Sequence, residues 1–377
     1  MRLADVVDLI EGWYPPHRAE DWDAVGLVCG DPEAEVRTVL LAVDPVLAVA
    51  DEAVALDADL LLVHHPLYLR GTTTVAASTP KGRVVHRLIG AGCGLLTAHT
   101  NADSPTGGVS AAIADALGLL DVVPLDPDPT EPRDKLVVFV PTTHADAVRD
   151  ALAEAGAGRI GDYDSASFST PGQGRFRPLA GANPTIGAIG ELEVVDEVRL
   201  EVIADRRLRG DLIATMLEAH PYEQPAYDVL ELPGMPDEDC GSGRIGRLAE
   251  PVTLRAFAEL AATVFPPTAA GLRVAGDPDR LVETVALCGG SGDFLLDRAR
   301  SAGADVYVTS DLRHHPASES VEGDGPALVD VAHAAAESLW LPVLRDRLVE
   351  ALGAEDDTVG VTVHISKVST DPWTFRV

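Results

Sequence analysis

The run Leu60-Leu61-Leu62-Val63-His64-His65-Pro66 constrains this chain more than any other stretch. Four consecutive apolar residues, preceded by Asp59, suit a strand buried on both faces. The run then stops in two adjacent imidazoles. Pro66 prevents the strand from continuing and biases His65 towards an extended conformation. A buried strand would therefore carry two metal-competent side chains at its carboxyl tip. The plainer reading is a polar strand end, because histidine is common at surfaces as well as in metal sites.

The chain has 377 residues, which implies two or three domains. Hydrophobic residues make up 46% and charged residues 24%, a globular balance with enough apolar side chains for a sizeable core. The formal net charge of −31 repels phosphate backbones and anionic bilayers, so no nucleic-acid or membrane partner is expected. An anionic substrate would need a local positive field, and a bound cation supplies one. The four cysteines (Cys29, Cys93, Cys240, Cys288) contain no Cys-x-x-Cys and read as reduced thiols of a cytoplasmic protein. The N-terminal residues have acids where a signal peptide needs apolar residues, and no stretch reaches the roughly 20 apolar residues of a membrane span.

In chain order, residues 3–13 have apolar positions at helical spacing, and Pro15-Pro16 ends that helix. Residues 19–27 read as a turn into a short strand, and 38–43 as a strand. Asp44-Pro45 reads as the cap and first turn of a helix to about Leu56. Strands at 59–63 and 94–98 flank a helix at 83–91, and Gly107-Gly108 precedes a helix to about Leu117. Strands alternating with helices predict a mostly parallel sheet covered on both faces.

Residues 122–133, with Pro124, Pro127, Pro129 and Pro132 among acidic residues, read as a linker. Next come a strand (135–140), a helix (145–155), two strand-like stretches around a Gly/Ser/Pro-rich loop (165–184), a helix (208–219) and a strand (226–232). That β-α-β-β-α-β order predicts a ferredoxin-like α+β insert. A second linker, 233–239, closes it. The expected domains are 1–132, 133–235 and 236–377.

The first and last segments echo each other. Thr38-Val39-Leu40-Leu41 is followed, 21 residues after Thr38, by Asp59 and its apolar strand; Thr284-Val285-Ala286-Leu287 is followed, 21 residues after Thr284, by Asp305-Val306-Tyr307-Val308. Where the first unit has His64-His65, the second has Ser310-Asp311. The echo predicts two duplicated α/β half-domains facing each other across a cleft. The alternative is a coincidence between two ordinary β-α-β units.

Metal-competent groups fall at strand ends or helix starts in four places: His64-His65; His99 to Asp103; Thr309-Ser310-Asp311; and Asp330 with His333 and Glu337. His333 and Glu337 are four apart on one helix face, with alanines between them. In an open α/β sheet, ligands bind beyond the carboxyl ends of the strands. Even three imidazoles and two carboxylates from these places exceed one tetrahedral zinc and suit two ions such as zinc, manganese, iron or nickel. Two ions roughly 3.5–4 Å apart would activate water and polarise a phosphoryl or carbonyl oxygen. Each group has a simpler reading too. His333 and Glu337 could be a surface pair, and Asp103 or Ser310-Asp311 a helix cap. His314-His315-Pro316 repeats the His-His-Pro string in an expected loop. Gly289-Gly290-Ser291-Gly292 is either a phosphate-binding turn or simply a tight turn.

Taken together, His64-His65-Pro66, Thr97-Ala98-His99-Thr100-Asn101-Ala102-Asp103 with Gly107-Gly108, Gly303-Ala304-Asp305-Val306-Tyr307-Val308-Thr309-Ser310-Asp311 and His333-Ala334-Ala335-Ala336-Glu337 resemble the Nif-three-like dinuclear metal centre family. Its members are labelled GTP cyclohydrolase I type 2 homologues. The resemblance implies two facing α/β domains with a dinuclear site between them, a homohexamer, and His64, His65, Asp103, His333 and Glu337 as metal ligands. By likeness, His64 and His333 serve one ion, His65 and Asp103 the other, and Glu337 bridges. The middle segment, with His220-Pro221-Tyr222-Glu223-Gln224-Pro225-Ala226-Tyr227-Asp228, resembles the PII/CutA-like insert of longer members. The chain departs from the usual family pattern at Asp23-Ala24, where Asp-Asn is usual, at Ser310 in place of glycine, and at Ala332 in place of glycine. The expected function is a dinuclear metal-dependent hydrolase acting on a nucleotide or other phosphate-containing small molecule, with GTP ring opening as the family-labelled version. His99, Thr309, Asp311 and Asp330 are candidates for orienting ligands or moving protons. The alternative function is a metal-binding regulatory or scaffold protein whose insert binds a small molecule or partner.

Overall fold

The structure, a computed structural model, describes residues 1–353 and 360–377. The chain divides into two compact units, one of Met1–Asp128 with Glu238–Val377 and one of Pro129–Asp237.

The first unit contains two sheets. In one, the strands lie in the order Gly26–Cys29, Gly94–Thr97, Leu60–Val63, Thr38–Ala42, Thr362–Ile365. The last four are mutually parallel, and Gly26–Cys29 runs antiparallel at the edge. In the other, the order is Arg273–Ala275, Ala327–Val331, Val306–Ser310, Leu281–Ser291, Pro236–Thr253, Leu120–Pro129. The three strands Ala327–Val331, Val306–Ser310 and Leu281–Ser291 are parallel, and an antiparallel strand flanks them on each side.

Because side chains alternate across a strand, each sheet divides its apolar residues between two cores. Val39, Leu41, Leu60, Leu62 and Leu96 of the first sheet share one cluster with Val285, Leu287, Val306, Val308 and Val329 of the second. The intervening Leu40, Leu61, Val63 and Leu95 form a separate cluster on the outer face of the first sheet. Ala286, Cys288, Tyr307 and Leu328 do the same on the second. Strand runs apolar at every position are thus satisfied on both faces, as residues 60–63 required.

The sequence echo has a structural counterpart. The Asp59 carboxylate accepts from Arg37 N (2.8 Å) and Thr38 N (2.9 Å), and the Asp305 carboxylate accepts from Glu283 N (3.0 Å) and Thr284 N (2.9 Å). The backbones match as well: Asp59 N donates to Thr38 O and Asp305 N to Thr284 O. Each aspartate ties the start of its own strand to the start of the neighbouring one. This is why an acid precedes both apolar runs.

Four local expectations are overturned. Residues 122–133 are not a linker, since Leu120–Pro129 is a strand. It lies at the edge of its sheet, where prolines that lack an N–H cost no ladder hydrogen bond. The 233–239 linker likewise gives way to the long strand Pro236–Thr253. Asp44 does not cap a helix: Val46 is the N-cap residue of helix Leu47–Ala55, and the Asp44 carboxylate is engaged by His65 instead. His314-His315-Pro316 is the first turn of helix His314–Glu322, where proline is tolerated, and not a loop.

The second unit has strands Arg133–Pro141, Ser167–Phe176, Glu193–Asp205 and Tyr227–Leu232, with helices Ala145–Glu154 and Arg209–Ala219. The sheet order is Ser167–Phe176, Glu193–Asp205, Arg133–Pro141, Tyr227–Leu232, antiparallel throughout. Leu136, Val138, Leu200 and Val202 on one face share a core with Val148, Leu152, Leu212 and Met216 of the helices. Much of the expected 165–184 loop is the edge strand Ser167–Phe176, whose mostly exposed Gly, Ser and Pro residues disguised it.

Asp59→Ala and Asp305→Ala each remove an ionised acceptor from two backbone N–H groups. Each should cost about 1–3 kcal/mol of unfolding free energy, by similar amounts, in urea denaturation. A negligible loss in either would show that the clamp does not stabilise its half.

Candidate metal centre

Alternation along Leu60–Val63 sends Leu60 and Leu62 into the core shared by the two sheets, and His64 follows on that side. His64 is fully buried, with its ring 5.6 Å from that of Trp340. Its Nδ1 donates to Ala98 O at 2.9 Å, which leaves Nε2 facing inward. His65 Nδ1 donates to Asp44 at 2.7 Å. The parallel register pairing Ala42 with Val63 brings the two chain continuations side by side, so Asp44 meets His65.

From the neighbouring strand Gly94–Thr97 the chain enters a helical turn, Thr100–Asp103. Asn101 fixes this turn: its side chain accepts from His99 N and donates to Tyr14 O. The turn brings Asp103 Oδ1 to 3.5 Å from His64 Nε2. Across the cleft, strand Ala327–Val331 leads into the short helix His333–Glu337. His333 Nδ1 donates to Asp311 at 2.7 Å, and its Nε2 lies 2.8 Å from Glu337 Oε1. Glu337 Oε1 is also 3.5 Å from His64 Nε2, and Oε2 is 3.1 Å from His65 Nε2. All five residues singled out in the sequence, His64, His65, Asp103, His333 and Glu337, therefore converge.

Glu337 is only 2% exposed. Burial pushes its carboxyl up, but His64, His333 and His65 outweigh that and hold it well below the usual range. Burial opposes the charge on all three imidazoles too. For His64, Glu337 and Asp103 overcome it and the net direction is up. His65 is raised to about 10 by Asp44 and Glu337, and His333 to about 9 by Glu337 and Asp311. Asp103 goes the other way, because its burial exceeds the pull of His64.

His64 Nε2, Asp103 Oδ1 and Glu337 Oε2 are buried and lack a hydrogen-bond partner. Buried polar atoms left without a hydrogen bond are costly unless a cation meets them. Two groups have the closeness of a cation site: His64 with His65 and His99, and His65 with His333 and Glu337. The nitrogen and oxygen donors suit a borderline divalent ion.

Other candidates divide. His99 joins the cluster, its ring 5.0 Å from His64 and its Nδ1 donating to Asp23 at 2.8 Å. Asp311, at φ +56°, orients His333. Thr309 donates to Gly290 O. Asp330 is elsewhere, accepting from Leu312 N and pairing with Arg273. His314 and His315 are exposed and belong to neither group. The glycine run is explained by close approach: a Cβ on Gly290, at φ +66°, would lie 2.7 Å from Glu337 Oε1. Sequence reasoning missed Asp44 and Asp23 as histidine partners. The signal for Asp44 was an acid just past a strand parallel to the one ending in His64-His65.

A cavity of about 410 Å³ opens onto this cluster, lined among others by Trp22, His99, Asp103, Phe294, His333 and Glu337. Among the described residues, no lysine or arginine lines it.

The fold and the cluster define a two-unit α/β protein with a buried His/carboxylate site suited to metal ions. The profile of the Duf34/NIF3 (NGG1p interacting factor 3) family matches residues 1–372, and the chain belongs to that family. It is 50% identical over 374 residues to a Mycobacterium tuberculosis protein named GTP cyclohydrolase 1 type 2 homolog, covering 99% of this chain and 97% of that one. A protein of the same name from Halalkalibacterium halodurans is 40% identical over 379 residues, covering both chains fully. Among solved structures, a Bacillus cereus protein related to NIF3 matches with TM-score 0.75 and 38% identity, covering 100% of this chain and 99% of that one. A Staphylococcus aureus protein matches with TM-score 0.84 and 27% identity over the same shares. The resemblance stated from the motifs is thereby borne out. Among the described residues, no helix is long and apolar enough to cross a membrane.

His65 and His333 have folded pKa values of about 10 and about 9, above their ordinary 6.5. Their stabilising contribution is fully present below about pH 6.5 and is lost as pH rises through 9–10. Chelator-treated protein should therefore lose thermal stability across that interval, and His65→Asn with His333→Asn should flatten the loss. A midpoint independent of pH from 7 to 10 would contradict it.

Proposed function

We propose that the protein is a dinuclear metal-dependent hydrolase acting on a nucleotide or another phosphate-containing small molecule. The observation that carries the reading is the approach of His64 Nε2 and Asp103 Oδ1, both buried without a hydrogen-bond partner, to each other and of His64 Nε2 to the Glu337 carboxylate, next to an open cavity. The relatives' name, GTP cyclohydrolase 1 type 2 homolog, supports the substrate class. The proposed ligands are His64, His65, Asp103, His333 and Glu337. The distances favour His64 with Asp103 on one ion and His65 with His333 on the other, with Glu337 between them. This reverses the pairing implied by family likeness.

When bound, two divalent cations would supply Lewis acidity and activation of water. The chain's own groups do the rest. Ala98 O, Asp44 and Asp311 hold the Nδ1 edges of His64, His65 and His333, so that each imidazole presents Nε2. His99, held by Asp23 at the cavity wall, is positioned to carry a proton. With no lysine or arginine among the described residues that line the cavity, the positive field that attracts an anionic substrate would come mainly from the cations.

The reading includes three segments: two duplicated α/β half-domains and a ferredoxin-like insert at 133–235. The matched Asp59 and Asp305 clamps and the antiparallel sheet order of the second unit support it. It also includes a homohexamer, which native mass spectrometry would test.

Elemental analysis of protein purified with its metals should find about two ions per chain. With GTP and a phosphoester panel, turnover should be present in the wild type and abolished in Glu337→Gln, with circular dichroism unchanged. Absence of turnover on every substrate at full metal content would overturn the hydrolase reading.

Asp44→Ala and Asp311→Ala leave every proposed ligand in place but free an imidazole to rotate. Each should weaken metal affinity about 10–100-fold in chelator competition. Unchanged affinity would show that these carboxylates do not orient the ligands.

A further inference from the structure

Two large aromatic side chains of the first unit are held outside its cores. Trp22 is 57% exposed and Phe294 is 65% exposed, and among the described residues neither belongs to an apolar cluster. Both line the cavity of about 410 Å³ that opens onto the metal centre. Its volume is within the range of small-molecule sites.

Each ring is carried on a short turn that polar contacts pin in place. Asp23 N donates to Glu20 O at 2.9 Å, which closes the turn around Trp22. The Asp23 side chain has no exposed surface. Its carboxylate accepts from Ala24 N at 2.7 Å, from His99 Nδ1 at 2.8 Å, from Thr100 N at 3.0 Å and from the Thr100 hydroxyl. Thr100 Oγ1 in turn accepts from Glu20 N at 3.0 Å. The Trp22 ring then lies 6.0 Å from that of His99, inclined at 79°.

Phe294 is in the turn Asp293–Leu295, which follows strand Leu281–Ser291 of the other sheet. Leu295 N donates to Gly292 O at 3.1 Å, Leu295 enters the outer core of that sheet, and Arg313 pairs with Asp293. The turn starts at a close approach: a Cβ on Gly292 would lie 2.4 Å from the Tyr307 hydroxyl and 2.5 Å from Thr309 Oγ1.

Stability does not explain these two rings, because an aromatic side chain left in water forfeits the burial that makes it stabilising. The two turns belong to different sheets, so only the assembled unit brings the rings to one cavity. The rest of the lining sets the polarity. His99, Asp103, His333 and Glu337 line it at the metal centre. Among the described residues the lining has no lysine or arginine, and the Trp22 turn adds an acid, Glu20. A phosphate is therefore favoured only at the cations, and the aromatic rings are left to an uncharged flat group.

We propose that Trp22 and Phe294 are specificity-determining residues that take the flat heteroaromatic ring of the substrate while its phosphate end is directed to the cations. The proposal rests on the hydrolase reading for the phosphate end. It narrows the substrate class from phosphate-containing small molecules in general to nucleotides.

Equilibrium dialysis of the full-length, metal-loaded protein with GMP, AMP and ribose 5-phosphate tests this, since the last carries the same phosphate without the ring. Each nucleotide should bind about tenfold or more tightly than ribose 5-phosphate. Trp22→Ala and Phe294→Ala should each weaken nucleotide binding about fivefold or more, and Trp22→Phe should restore most of the loss. Ribose 5-phosphate binding and metal content should stay unchanged in all three variants, which a damaged fold would not allow. Equal affinity for nucleotide and ribose 5-phosphate would overturn the proposal, as would no binding of any of the three at millimolar concentration. Turnover of ringless phosphoesters with no preference for nucleotides would overturn it while leaving the hydrolase reading intact; ring-dependent binding without any turnover would do the reverse. Dissociation of the assembly in Phe294→Ala, with nucleotide binding unchanged, would assign that ring to contact between copies and overturn the proposal too.

Discussion

A carboxylate that is 2% exposed is the constraint around which the first unit is arranged. Glu337 can stay ionised there only if positive or strongly polar groups surround it, because burial alone would neutralise it. Three imidazoles do so, and they come from both sheets: His64 and His65 from one, His333 from the strand end of the other. The same contacts that hold the charge therefore hold the two sheets' carboxyl ends together. Tyr14 and Trp340 brace the arrangement from beneath. Trp340 Nε1 donates to the Tyr14 hydroxyl, which donates to Gly107 O, and the Trp340 ring lies against His64. The first helix, the first sheet and the last helix thus meet directly under the cluster.

Such a knot needs rigid delivery, which explains why the site is built on parallel strands. A parallel strand buried on both faces has its register fixed by two cores at once, and a slip of one residue would turn every side chain to the wrong side. Leu60 and Leu62 enter one core and Leu61 and Val63 the other, so His64 has one possible direction. The Asp59 clamp fixes the start of that strand and Pro66 its end, which leaves the His-His pair no freedom along the chain.

What the sequence revealed follows from the same physics. The Leu60–Val63 strand and its two histidines were legible because composition, an abrupt polar end and a proline all agree. Helical spacing put His333 and Glu337 on one face, but it was the resemblance of the motifs that marked them as ligands and not as a surface pair. Asp44 was misread as a cap because Asp-Pro before an apolar run is a local signal for a helix start. The carboxylate was claimed by a tertiary partner, His65, that no local rule can see. Asp23 was hidden for the same reason: its partner His99 lies 76 residues away. The acidic, proline-rich stretch that became strand Leu120–Pro129 was lost because the proline penalty vanishes at a sheet edge, and edge position belongs to the assembled sheet.

The two echoing units divide the labour. Counting from Asp59 and Asp305, His64 corresponds to Ser310 and His65 to Asp311. Both His64 and Ser310 are fully buried, as alternation along their strands requires. At the next position the units part. His65 is not left-handed, whereas Asp311 adopts a left-handed conformation that an aspartate tolerates better than most residues. That turn aims its carboxylate at His333, which belongs to the adjacent strand end of its own sheet. In the first sheet the neighbouring strand end contributes Asp44, which aims at His65. Each sheet therefore brings together one imidazole and one carboxylate across adjacent strand ends, with the roles exchanged. In one sheet the central strand carries the histidine, and in the other the aspartate. This exchange lets two similar frames present different donors to a single point, with Glu337 between them.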